Sequence, residues 1–155
     1  MGTSDFLRCG GIAMMLAGAA EASDGVSPEA LASMDTCLVE SATGRDVANT
    51  TIICFNEARA ACQGAVLACE QEMTAAVAER ADGLMERMPS ELEGVPEFAK
   101  DRYLEILSDI EAGAVDLCAD VPEAGQISCA YRAEALRFAK LRSLASQIDP
   151  RFLIP

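Results

Sequence analysis

Six cysteines, Cys37, Cys54, Cys62, Cys69, Cys118 and Cys129, constrain this chain more than any other feature. They follow an N-terminal stretch that reads as an export signal. Arg8 precedes an uncharged apolar run, Cys9 to Ala20, and Ala20-Glu21-Ala22 supplies small residues where a signal peptidase cuts. The run has twelve residues, against the roughly twenty that a membrane-spanning helix needs. Cys9 follows Phe6-Leu7-Arg8, which is no lipidation motif. The expectation is a cleaved leader over residues 1–22, a single disulfide-bonded helical domain over 23–155, and no membrane anchor after cleavage. An even set of six cysteines in a periplasmic or secreted bacterial chain reads as three disulfides. Zinc is disfavoured: its sites use cysteines two to four residues apart, whereas the closest pair here has six intervening residues and the chain has no histidine. No metal and no cofactor are expected.

The punctuation predicts an all-α chain, a small bundle of about four to five helices stapled by disulfides. Ser27-Pro28-Glu29 is a helix start, with a hydroxyl cap, proline in the first turn and an early acid. Leu31, Met34 and Leu38 then share a face until Gly44. A second helix is expected from about Thr51 to Cys62, and a third from Gly64 to Met88 with the stripe Val66, Cys69, Met73, Val77, Leu84 and Met88. Pro89 to Pro96 is a turn. A fourth helix is expected from Glu97 to about Cys118 on Ala99, Tyr103, Ile106, Ile110, Ala114 and Leu117, and a fifth from about Cys129 to Gln147 on Ala133, Leu136, Leu141 and Leu144.

Helix geometry divides the disulfide pairings into two sets. In one unbroken helix over 51–88, Cys54 and Cys62 would stand about 12 Å apart, and Cys62 and Cys69 about 10.5 Å. A bridge needs Cα atoms within about 7 Å, so all three would pair with Cys37, Cys118 and Cys129. A break at Gly64 instead permits neighbours to pair: Cys37 with Cys54, Cys62 with Cys69, and Cys118 with Cys129. The neighbour set is the favoured one, each bridge stapling one interhelical turn.

Charge narrows the partners. Twenty-five acids against twelve bases give a net charge of −13, which repels phosphate backbones and anionic lipid, so nucleic acid is not an expected partner. Without histidine the chain lacks the usual general base of Ser and Cys nucleophiles. Acids one helical turn apart, Glu93 and Glu97, Asp101 and Glu105, Glu105 and Asp109, could serve a glycosidase, but any acidic helix surface has such pairs. An enzyme is not expected.

The segment from Cys129 to Leu141, with Arg137 eight, Phe138 nine and Leu141 twelve positions after the cysteine, resembles the C-terminal signature of LprI-type lysozyme inhibitors. Cys54-Phe-Asn-Glu-Ala-Arg-Ala-Ala-Cys62, followed by Cys69 and Glu72, is similar to the cysteine-rich N-terminal half of alphaproteobacterial members. The likeness spans residues 34–145. It implies a small exported helical protein that associates non-covalently with a cationic cell-wall hydrolase such as a lysozyme, with Arg137 and Leu141 as structural residues. The family's Gln-x-x-Trp and Arg-Asp positions fall here on Leu107, Ile110, Ala114 and Val115, which do not match.

Fifteen acids against four bases lie between Glu70 and Glu123, a charge that would steer a cationic protein toward the chain. The candidate contacts are the acids of turns, Glu91 and Glu93 between the prolines and Asp120 and Glu123 between Cys118 and Cys129. The second class of function is an immunity or structural interaction module of the periplasm with a different protein partner and no lysozyme inhibition.

Overall fold

The computed structural model describes residues 26, 28–62 and 66–154, without the side chains of 113–116. The leader, the Ser27 cap and the Gly64 break all fall outside these residues. Among the described residues five helices make the fold: α1 (Pro28–Glu40), α2 (Val47–Ala60), α3 (Val66–Arg87), α4 (Glu97–Asp116) and α5 (Gln126–Ile148). Short 3₁₀ turns at Ser41–Thr43, Glu123–Gly125 and Pro150–Leu153 complete it, and there is no strand among the described residues.

Local chemistry sets the helix ends. Asp46 caps α2, its carboxylate accepting from the Asn49 amide at 3.0 Å. This start precedes the expected one at Thr51, and it puts Val47 and Thr51 one turn apart on the buried face. Thr51 is wholly buried, but its hydroxyl donates to the Val47 carbonyl at 2.6 Å and leaves no polar group unmatched. Between α3 and α4, Gly94 takes the one positive φ among the described residues, 70°, a conformation that costs a residue with a Cβ. The Tyr103 hydroxyl donates to the Pro89 carbonyl at 2.6 Å and ties α4 to this turn.

Helix α5 is the hub, packing on α2, α3 and α4, while α1 lies against α2. The α3 stripe Met73, Val77, Ala81 and Leu84 joins Tyr131, Ala135, Phe138 and Leu141 of α5 in one core. Small buried residues, Ala58, Ala81, Ala135, Ala139 and Ala145, let the helix axes come close.

Three expected core positions are corrected. Val66 is exposed at the first position of α3, Leu117 lies just past the end of α4, and Leu136 sits on the outward row Arg132, Leu136 and Lys140. The first two are end effects. On α5 the buried arc is wider than a single stripe, taking in Ala135, Phe138, Ala139, Arg142 and Ala145, because three helices surround it. Ala114 lies among the side chains not described.

The cysteines form the neighbour pairs: Cys37–Cys54, Cys62–Cys69 and Cys118–Cys129, with Cα separations of 5.7, 5.9 and 5.8 Å. They link α1 to α2, α2 to α3, and the end of α4 to α5. The first two pairs follow from α2 ending at Ala60 and α3 beginning at Val66, since the helix is not continuous between Cys54 and Cys69.

Candidate functional site

The four turn acids are exposed but stand in two separate places. Glu91 and Glu93 precede α4; Asp120 and Glu123 follow it. Because α4 has 20 residues, about 30 Å of helix lies between the two sets. Each turn is well held. The α3–α4 turn has Gly94 and the Tyr103 bond, and the α4–α5 turn has the Cys118–Cys129 bridge plus the Gln126 amide, which donates to the carbonyls of Cys118 and Val121.

Between them runs an acidic ridge. Phe98, Asp101, Glu105 and Asp109 recur at three- and four-residue steps on the outer face of α4, and all are exposed. Glu105 pairs with Arg102 and Glu97 with Lys100. Among the described residues, Glu91, Glu93, Asp101, Asp109, Asp120 and Glu123 have no ion-pair partner. Apolar contact area accompanies them: Phe98 is 75% exposed, with Leu104 and Val95 also open to solvent.

Arg137 ties three helices together. Its Nη2 donates to Asp82 of α3 at 2.9 Å and to Glu111 of α4 at 2.8 Å, while Nη1 donates to Glu134 at 3.3 Å. Burial pulls this guanidinium's pKa down, but the bonds to Glu111 and Asp82 outweigh it and the net shift is upward. Leu141 is fully buried in the core, and Ile110, where the resemblance would place a tryptophan, is buried too.

Glu70 is the buried acid that spacing alone did not mark. It lies in the α3 stripe region with its carboxylate paired to Arg59 of α2 and accepting from the Ser128 hydroxyl of α5. This three-helix junction also holds Tyr131, whose hydroxyl donates to the Phe55 carbonyl at 2.8 Å. Burial pushes the Tyr131 phenol up to about 12, aided by the Glu70 charge and opposed by Arg59. In the unfolded chain a phenol ionises near pH 10, so stability holds below about pH 10 and falls as pH rises toward 12. Tyr103 is raised in the same direction by burial. Alkaline denaturation of Tyr131→Phe should therefore show a shallower decline above about pH 10, and an unchanged slope would contradict the burial argument.

A groove of about 490 Å³ opens between α1, α3 and α5, with Leu38, Val39, Phe138 and Leu153 as apolar walls. Its charged groups are Asp35, Glu79, Arg80, Arg87 and Arg142. Asp35 is matched by Arg80 through two bonds of 2.7 Å. Arg142 has no carboxylate partner among the described residues. It is 3% exposed, donates from Nη2 to the Leu38 carbonyl at 2.6 Å and to the Ser41 hydroxyl at 3.2 Å, and leaves Nε buried without an acceptor. The Leu38 carbonyl, in the last turn of α1, also accepts from the Ser41 hydroxyl at 2.9 Å, and the guanidinium lies 5.8 Å from the Phe138 ring. Burial alone pulls the Arg142 pKa down to about 10, so it stays charged at neutral pH.

No cluster of three or more metal-binding side chains occurs among the described residues, and no described helix is long and apolar enough to cross a membrane. Fold and site together define a disulfide-stapled five-helix protein with an acidic ridge. Comparison with protein-family models, curated proteins and solved structures finds no match.

Proposed function

We propose that this chain is an exported acidic binding protein that associates non-covalently with a cationic cell-wall hydrolase, of which a lysozyme is the representative implied by the resemblance. The observation that supports this reading is the α4 ridge: unpaired acids at both ends and along the outer face, interleaved with exposed Phe98 and Leu104. Acids on rigid turns raise the encounter rate with a cationic surface at little ordering cost, and the apolar side chains supply contact area once the partners meet. Export agrees with three disulfides, which persist in oxidising compartments.

The test is a lytic assay with a cationic animal-type lysozyme and the oxidised mature protein. Dose-dependent inhibition is expected, strongest at low salt and weaker near about 0.15 M, where the Debye length is about 8 Å. The double variants Glu91→Lys with Glu93→Lys and Asp120→Lys with Glu123→Lys report on the two ends of α4 separately; reversal at the contacting end should slow association by about tenfold at low salt. Absence of inhibition by folded, disulfide-bonded protein at every salt concentration would remove lysozyme as the partner.

A further inference from the structure

We propose that the groove between α1, α3 and α5 is a binding site for a small amphiphilic monocarboxylate, its apolar tail against Leu38, Phe138 and Leu153 and its carboxylate paired with Arg142 and Arg87. The site is independent of the acidic ridge on α4.

Size and lining suit such a ligand. A volume of about 490 Å³ falls within the range of small-molecule pockets, about 300–1,000 Å³, which are typically apolar with a few placed polar groups. Leu38, Phe138 and Leu153 are each no more than 5% exposed, so the walls are fixed by the core.

Charge selects the head group. Acids outnumber bases about two to one in this chain, yet the buried arginine that lines the groove, Arg142, has no ion-pair partner among the described residues and one donor unmatched. A buried cation without a counter-charge is costly, and an incoming anion would offset that cost while matching the planar fork of the arginine. Arg87 adds a second cation at the same groove. Among the described residues its side chain makes one hydrogen bond, a long one of 3.4 Å to the Phe152 carbonyl. Asp35 is neutralised by Arg80, and exposed Glu79, which makes no close ion pair among the described residues, also acts on Arg80 through its charge. The two acids and three arginines of the groove leave a surplus of one positive charge, which disfavours a dianion such as phosphate and leaves a monoanion.

The experiment is calorimetric titration of the oxidised full chain with octanoate, octanol, acetate and inorganic phosphate in parallel. Saturable octanoate binding is expected, about tenfold or more tighter than octanol, which lacks the charge, and than acetate, which lacks the tail. Arg142→Met keeps the apolar stem and should abolish the preference for octanoate over octanol. Arg87→Gln, at an exposed position, should weaken octanoate binding several-fold. A readout that needs no variant is the Arg142 Nε–H resonance in the wild-type protein, which should shift on octanoate addition. Equal binding of octanoate and octanol, tighter binding of phosphate, an unmoved Arg142 resonance, or no saturable binding would each overturn the proposal.

Discussion

Reduction of all three disulfides is expected to unfold this protein at room temperature. The bridges span sequence separations of 17, 7 and 11 residues; in the chain-entropy model loops of these lengths contribute about 3, 2 and 3 kcal/mol. Their combined loss of about 8 kcal/mol is comparable to the whole stability of a typical domain, about 5–15 kcal/mol. The remaining core is short of large side chains, with seven aromatics and no tryptophan. Helical circular dichroism followed through a guanidinium titration, with and without reductant, measures the effect. A reduced chain that kept its midpoint would show that the apolar core suffices alone. Under mild reductant Cys118–Cys129 should open first, because both its residues are half-buried whereas Cys54 and Cys69 are buried in the other two bridges.

Phe55→Ala is expected to cost about 4 kcal/mol, near the middle of the range for deleting a buried aromatic. The ring is 1% exposed and lies 5.8 Å from that of Phe138. It is also fully enclosed where α2 meets α5, beside the Tyr131 hydrogen bond to its own carbonyl. The buried neighbours are held in one close-packed core, so the space left by the ring is refilled only in part. Phe98→Ala is the matched control: at 75% exposure it should change stability by less than about 0.5 kcal/mol. The two variants compared by guanidinium midpoint test the burial assignment directly, and equal losses would refute it.

Much of this architecture was readable from residue spacing, and what was not has identifiable causes. Cysteine separations and the prolines and glycines between helices were enough to set out five helices and favour neighbour pairing. The early start of α2 was readable too, since Asp46 three residues before Asn49 is a capping arrangement, but the apolar pattern begins later and masked it. Stripe reasoning failed on α5 because a helix surrounded by three others buries more than one face. Arg142 and Glu70 were missed for a different reason. Arg142 meets Leu38 across 104 residues and Glu70 meets Ser128 across 58, and no local period encodes such meetings. The turn acids were legible as charges on either side of the expected fourth helix; that exposed Phe98, Asp101, Glu105 and Asp109 join them along its outer face emerges only once the buried face of α4 is known.

The consecutive order of the bridges bears on how the chain acquires them. Each of the six bridged cysteines is joined to the next of them or the one just before it, never more than 17 residues away along the chain. A thiol oxidase that joined these six in chain order would link Cys37 to Cys54, Cys62 to Cys69 and Cys118 to Cys129, which is already the native set. Maturation should therefore proceed without disulfide isomerase, and cells lacking that enzyme should yield correctly bridged protein at an undiminished level.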